Sequence, residues 1–104
     1  MKIRQGNTYV FVGELKDKEG EVLQLSEFDS ITVMISSLGV HRVIKKTPEL
    51  QIEDNKIVFA LSSVETRFFD RNAVVEAKLV IGDTVIIGLS DKVIEVEHTN
   101  ISKL

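Results

Sequence analysis

From residue 73 onward, Ala73, Val75, Ala77, Leu79 and Ile81 alternate with Val74, Glu76, Lys78 and Val80. A period of two places the sets on opposite faces of a β-strand, with the first set facing the core. This is the longest regular run in the chain and is expected at the centre of a sheet. Gly82-Asp83 then fits a two-residue type II′ hairpin, because glycine meets the positive φ of the first turn position at little cost. The partner run, residues 84–90, carries Val85, Ile86, Ile87 and Leu89 on both faces. It is expected to be covered on both sides.

The same alternation recurs upstream. In residues 8–15, Tyr9, Phe11, Gly13 and Leu15 share one face, and residues 16–20 form a polar turn ending in Gly20. A short strand is expected over 22–25. Ile31, Val33 and Ile35 point inward with Thr32, Met34 and Ser36 opposite. Over 40–46 the pattern slips where Val43 and Ile44 adjoin, which predicts a bulge or an edge strand. Pro48 cannot donate to a ladder and belongs at a strand start or in a connection. Residues 52–57 predict a hairpin turning at Asp54-Asn55, after which Ile57, Phe59 and Leu61 face inward. Ser62 and Glu65 have capping-box spacing and predict a short helix near 62–69, with Phe68 and Phe69 plugging the sandwich end and residues 70–72 closing the crossover. A last strand over 92–97 puts Ile94 and Val96 inward. Turn residues at intervals of about 8–12 positions, with period-two faces, predict an all-β, immunoglobulin-like antiparallel β-sandwich of about seven or eight strands. Residues 1–98 form its single domain and 99–104 a C-terminal tail.

Composition narrows the function classes. The 104 residues include no cysteine, which removes disulfides, thiolate nucleophiles and thiolate metal sites, as expected of folding in a reducing cytosol. The net charge of -3 is spread along the chain, and the one basic cluster, Arg42, Lys45 and Lys46, is too small for a phosphate-tracking stripe. Nucleic acid is not an expected partner. The N-terminus turns polar at once and no apolar run reaches membrane-spanning length, so the expectation is a soluble protein without an N-terminal export signal and with no membrane partner.

Candidate chemistry is sparse. His41 and His98 lie far apart among strand residues, so no metal site is expected. Residues 17–21 imitate a calcium loop, but Lys18 and the short spacing interrupt the ligand series. No serine lies in a strand-to-helix elbow, and the six glycines are isolated rather than grouped into a phosphate loop. Neither an enzyme nor a cofactor is expected. What stands out is a second apolar set, Val10, Val12, Met34, Val58, Val74 and Val80, out of phase with the inward residues. Scattered exposed aliphatics are ordinary, but gathered on one face these would form an interface. Val10, Val12, Met34, Val74 and Val80 are the interface candidates.

Several strings carry a family resemblance. Ile3-Arg4-Gln5-Gly6-Asn7-Thr8 precedes an aromatic strand, and Leu15-Lys16-Asp17-Lys18-Glu19-Gly20-Glu21-Val22-Leu23-Gln24-Leu25-Ser26 joins a lysine-aspartate-glycine turn to a leucine-serine step. With the short helix at 62–69 and the strand ending in Gly82-Asp83, this order resembles the N-terminal β-sandwich domain of the siphophage upper baseplate protein and related phage and prophage tail proteins. Asn7 stands where that family usually has aspartate, and Asn72-Ala73-Val74 where it tends to have glycine and an aromatic. The resemblance implies a non-enzymatic structural module. It would meet other structural subunits or copies of itself through sheet faces and edges, in the bacterial cytoplasm during assembly and then in the virion. The alternative is an immunoglobulin-like module that binds a cell-surface or soluble ligand through its loops, against which the short loops poor in Tyr and Trp argue.

Overall fold

A computed structural model describes residues 2–37, 41–69 and 72–97. They form an all-β sandwich. Its strands are β1 (Lys2–Arg4), β2 (Tyr9–Gly13), β3 (Leu15–Lys16), β4 (Ser30–Ser37), β5 (His41–Lys45), β6 (Gln51–Glu53), β7 (Lys56–Leu61), β8 (Ala73–Ile81), β9 (Thr84–Ser90) and β10 (Glu95–Glu97). A single turn of 3₁₀ helix, Leu25–Glu27, precedes β4, and one α-helix, α1 (Ser63–Arg67), joins β7 to β8.

Three strands in the order β2-β7-β6 pack against five in the order β3-β9-β8-β4-β5. The sequence β9, β8, β4, β5 reproduces the G, F, C, C′ sheet of an immunoglobulin-like sandwich, and β2, β7, β6 its B, E, D. The departure is β3, which lies beyond β9. The core fills the space between the sheets: Phe11, Ile57, Phe59 and Leu61 from one, Val33, Ile35, Val75 and Leu79 from the other, all essentially without solvent contact. Phe11 and Phe59 are direct cross-strand partners and stack with ring centroids 5.0 Å apart.

The period-two run at 73–81 is the central strand β8, paired along its length with β4 and β9. Ile81, expected inward, is exposed because it ends the strand at the hairpin. At that hairpin Gly82 has φ +55 while Asp83 is not among the positive-φ residues, as a type II′ turn requires. Asp54 and Asn55 both have positive φ, which makes the β6–β7 turn type I′.

Other differences come from side chains that satisfy backbone groups locally. Residues 22–25 are not a strand: Val22 makes one bridge to Lys16, Leu23 N–H donates to the Leu15 carbonyl, and Leu25 N–H donates to Asn55 Oδ1 at 2.8 Å. Asn55 Nδ2 returns a hydrogen bond to the Leu23 carbonyl. Phe69 is fully buried, but Phe68 lies half-exposed beneath the Arg67 guanidinium and plugs nothing. The bulge-or-edge expectation for 40–46 resolves as the edge strand β5, and Pro48 lies in the β5–β6 connection after a cis Thr47-Pro48 bond. Residues 38–40, 70–71 and 98–104 lie outside the described residues, and with them His98, most of the crossover closure and the expected tail.

The chain turns two tight corners between sheets. Between β2 and β3 it crosses at Gly13, where a Cβ would stand 2.7 Å from Phe11 Cε1. After β9 an unbroken ladder would set Ala73 against Lys92, yet its partner is Ile94, so two extra residues bulge out at 91–93. The bulge is tied to the first crossing. Asp91 Oδ1 accepts from Glu14 N–H at 3.2 Å, and Lys92 Nζ donates to the Val12 carbonyl at 2.8 Å. Beyond the bulge β10 runs parallel to β1, the one parallel pairing among the described strands, and Lys2–Arg4 was not foreseen as a strand because it is only three residues long.

Gly13→Ala is expected to cost about 1–3 kcal/mol, since the new methyl must displace a buried, stacked ring. In denaturant titrations Leu79→Ala should lose roughly 2–5 kcal/mol and Ile81→Ala under about 1 kcal/mol, although one alternation places both on the same face.

Candidate functional site

Burial of the odd-numbered β8 residues aims the even-numbered ones at solvent. Cross-strand register then lays out the outer face of the five-stranded sheet. Val80 lies beside Val85 and Ser30, Lys78 beside Ile87 and Thr32, Glu76 beside Leu89 and Met34, and Val74 beside Ser36, while Ile44 on β5 flanks Met34. Nothing covers this face among the described residues. Ile87 is 56% exposed and Val85 52%, with Ile44, Leu89 and Val74 close behind. A shallow depression of about 340 Å³ sits at its middle, lined by Thr32, Met34, Glu76, Ala77, Lys78 and Ile87. The double coverage expected for residues 84–90 is therefore incorrect: Ile86 and Gly88 turn toward the core, whereas Val85, Ile87 and Leu89 face outward.

The interface candidates divide between the sheets. Met34, Val74 and Val80 share this face. Val10 and Val12 lie on the outside of the three-stranded sheet, beside Ala60 and Val58. The two groups cannot form one patch, because the core separates them. Val85, Ile87, Leu89 and Ile44 were missed as surface residues. The signal for Val85, Ile87 and Leu89 was in the sequence, as apolar positions on both phases of 84–90, and that for Ile44 in its adjoining Val43, but the alternation alone does not tell a covered face from a docking face.

A second concavity, about 500 Å³, opens between Tyr9 and Val10 of β2, the end of β7, Lys45, Glu49 and Glu65. Its floor is an ion-pair cluster. Lys45 points inward from β5, its side chain only 7% exposed, with Nζ 3.0 Å from both Glu65 oxygens and 3.6 Å from Glu49. The same Glu65 carboxylate accepts from Ser62 N–H at 2.8 Å, while Ser62 Oγ accepts from Glu65 N–H at 3.1 Å, so the expected capping box is present. Burial pushes the Glu65 carboxyl up, but the Ser62 amide and the Lys45 ammonium outweigh it and hold it below the usual glutamate value. Burial also raises the Tyr9 phenol. With its ammonium engaged by two carboxylates, Lys45 pins the edge strand to α1.

Among the described residues no group of three or more histidine, cysteine, aspartate or glutamate side chains could hold a metal ion, and no helix is long and apolar enough to cross a membrane. His41 lies in β5 with its side chain outside the description, as is all of His98. Comparison with known proteins finds no matching family, no matching curated protein and no matching solved structure. The class is defined by the fold alone, an all-β sandwich with a five-stranded face that no described residue covers.

Glu65→Gln should cost about 2–3 kcal/mol, because it leaves a nearly buried ammonium with only the longer Glu49 contact. Since the folded carboxyl is held low, its contribution is complete above the ordinary glutamate range and is lost as pH falls through the folded value. The gap in denaturation midpoint between wild type and Glu65→Gln should therefore close on acidification.

Proposed function

We propose that the chain is a non-enzymatic assembly module of a phage or prophage tail, placed in the baseplate, that joins structural subunits through the outer face of its five-stranded sheet. The observation that carries the docking surface is the gathering of Val74, Val80, Met34, Ile44, Val85, Ile87 and Leu89 on one sheet face that no described residue covers. Apolar side chains gathered on one face to this extent mark protein contacts rather than ordinary solvent-facing sheet. The particle context rests on the resemblance carried by residues 3–8 and 15–26, and the host cytoplasm followed by the virion is the location that goes with it.

The test is particle incorporation. The tagged chain is expressed during phage induction, and purified tails are probed for it by immunogold electron microscopy. The wild type should label the baseplate. Met34→Lys with Val80→Lys should remove the label while far-UV circular dichroism stays unchanged, and Val10→Lys with Val12→Lys, on the opposite sheet, should keep it. Label that is absent from wild-type tails overturns the particle assignment. Label that survives the first pair of substitutions moves the docking surface elsewhere.

A further inference from the structure

The docking face has two charges at its centre, and their order specifies a partner. Outward along β8 the residues read Val74, Glu76, Lys78, Val80, a pattern symmetric about Ala77 except that the charges are opposite in sign. Turned end for end and laid over itself, this row sets Glu76 against Lys78 and Val74 against Val80. We propose that the face pairs with a second copy of this chain, the two sheets packed face to face about a two-fold axis that lies across the strands at Ala77.

The axis passes through one register row, Gly88, Ala77, Val33 and Lys45. An axis across the strands keeps each strand over its own counterpart and reverses its direction. The same operation that sets Glu76 over Lys78 of the second copy sets Val74 over Val80 and Ile87 over Leu89, apolar on apolar, while Met34 meets Thr32 and Ile44 meets Lys46 at the edge. A closed two-fold contact must be self-complementary in this way. Neither Glu76 nor Lys78 forms an ion pair with any described residue of its own chain. Covering them with an uncharged surface would strip both of water without compensation, whereas a second copy answers each with its opposite. Stacked sheets stand about 10 Å apart, a gap that a glutamate and a lysine reaching toward each other span.

The area is adequate. The four longer strands, about 4.8 Å apart and some seven residues long, outline roughly 500 Å² per copy, so that the pair buries on the order of 1,000 Å². That is the lower limit for a specific contact, and it implies a dimer that dissociates on dilution. The inference rests on the docking reading above and names the occupant of the face.

Sedimentation velocity on the full chain tests it. Wild type should shift from monomer to dimer with concentration. Glu76→Lys alone and Lys78→Glu alone should each weaken association by about 10-fold or more, because each sets like charges opposite one another twice. Mixed in equal amounts, the two variants should form a heterodimer, since the paired lysines of the first variant then face the paired glutamates of the second. The double swap in one chain should dimerise as wild type does. Thermal melts establish that each variant is folded. A wild type that stays monomeric up to about 1 mM, weaker than any specific interface, overturns the self-pairing. So do single variants that associate as strongly as wild type, or a mixture that stays monomeric. The docking reading fails separately, on immunogold label that survives Met34→Lys with Val80→Lys, so a monomeric chain whose tail label those substitutions remove leaves that reading in place with a different occupant.

Discussion

The strict alternation along β8 is the constraint on which the rest depends. Ala73, Val75, Ala77 and Leu79 are fully or nearly fully buried, and a strand cannot bury its odd residues without presenting its even ones. A slip of one residue would drive Glu76 and Lys78 into the core, so the register with β4 and β9 is fixed by the cost of desolvating two charges. The same arithmetic that builds the core composes the outer face.

Two devices let a chain this short close a sandwich around that strand. At Gly13 the lack of a Cβ lets the Phe11 ring fold back over the backbone, and the chain leaves the three-stranded sheet for the five-stranded one. At residues 91–93 a two-residue bulge turns the end of β9 toward β1 without reversing its faces, so Ile94 still enters the core opposite Ala73. Asp91 and Lys92 bind the backbone of 12–14, so the two corners brace each other. On the opposite edge Lys45 occupies an inward position that an apolar residue would ordinarily take, and the Glu65 carboxylate that caps α1 makes it tolerable. Removing the helix would leave the lysine only its longer contact with Glu49.

An apolar face with a complementary charge pair at its centre is a device for orientation. Its aliphatic residues supply the drive to associate, and they would accept a partner in many registers. Glu76 and Lys78 admit few, because every other register leaves a charge covered and unanswered. In the proposed self-pairing, the charge pair sets the orientation of contact while the surrounding side chains hold it.

The sequence by itself determined the elements whose signal is local: the period-two strands, the two tight hairpins at Asp54-Asn55 and Gly82-Asp83, the capping box at Ser62, and with them the all-β class. These follow from torsional preference and from hydrogen bonds between near neighbours, which a run of residues carries within itself. Only the tertiary structure decided what depends on distant partners. Residues 22–25 gave up strand form because Asn55, thirty positions away, bonds their backbone, and the three-residue β1 exists only because β10 lies alongside it. The outer apolar residues could be named from their phase, but a strand's two faces look alike until the sheets pack. Packing put Met34, Val74 and Val80 on one side of the molecule with Ile44, Val85, Ile87 and Leu89, and Val10 and Val12 on the other, because the core lies between them.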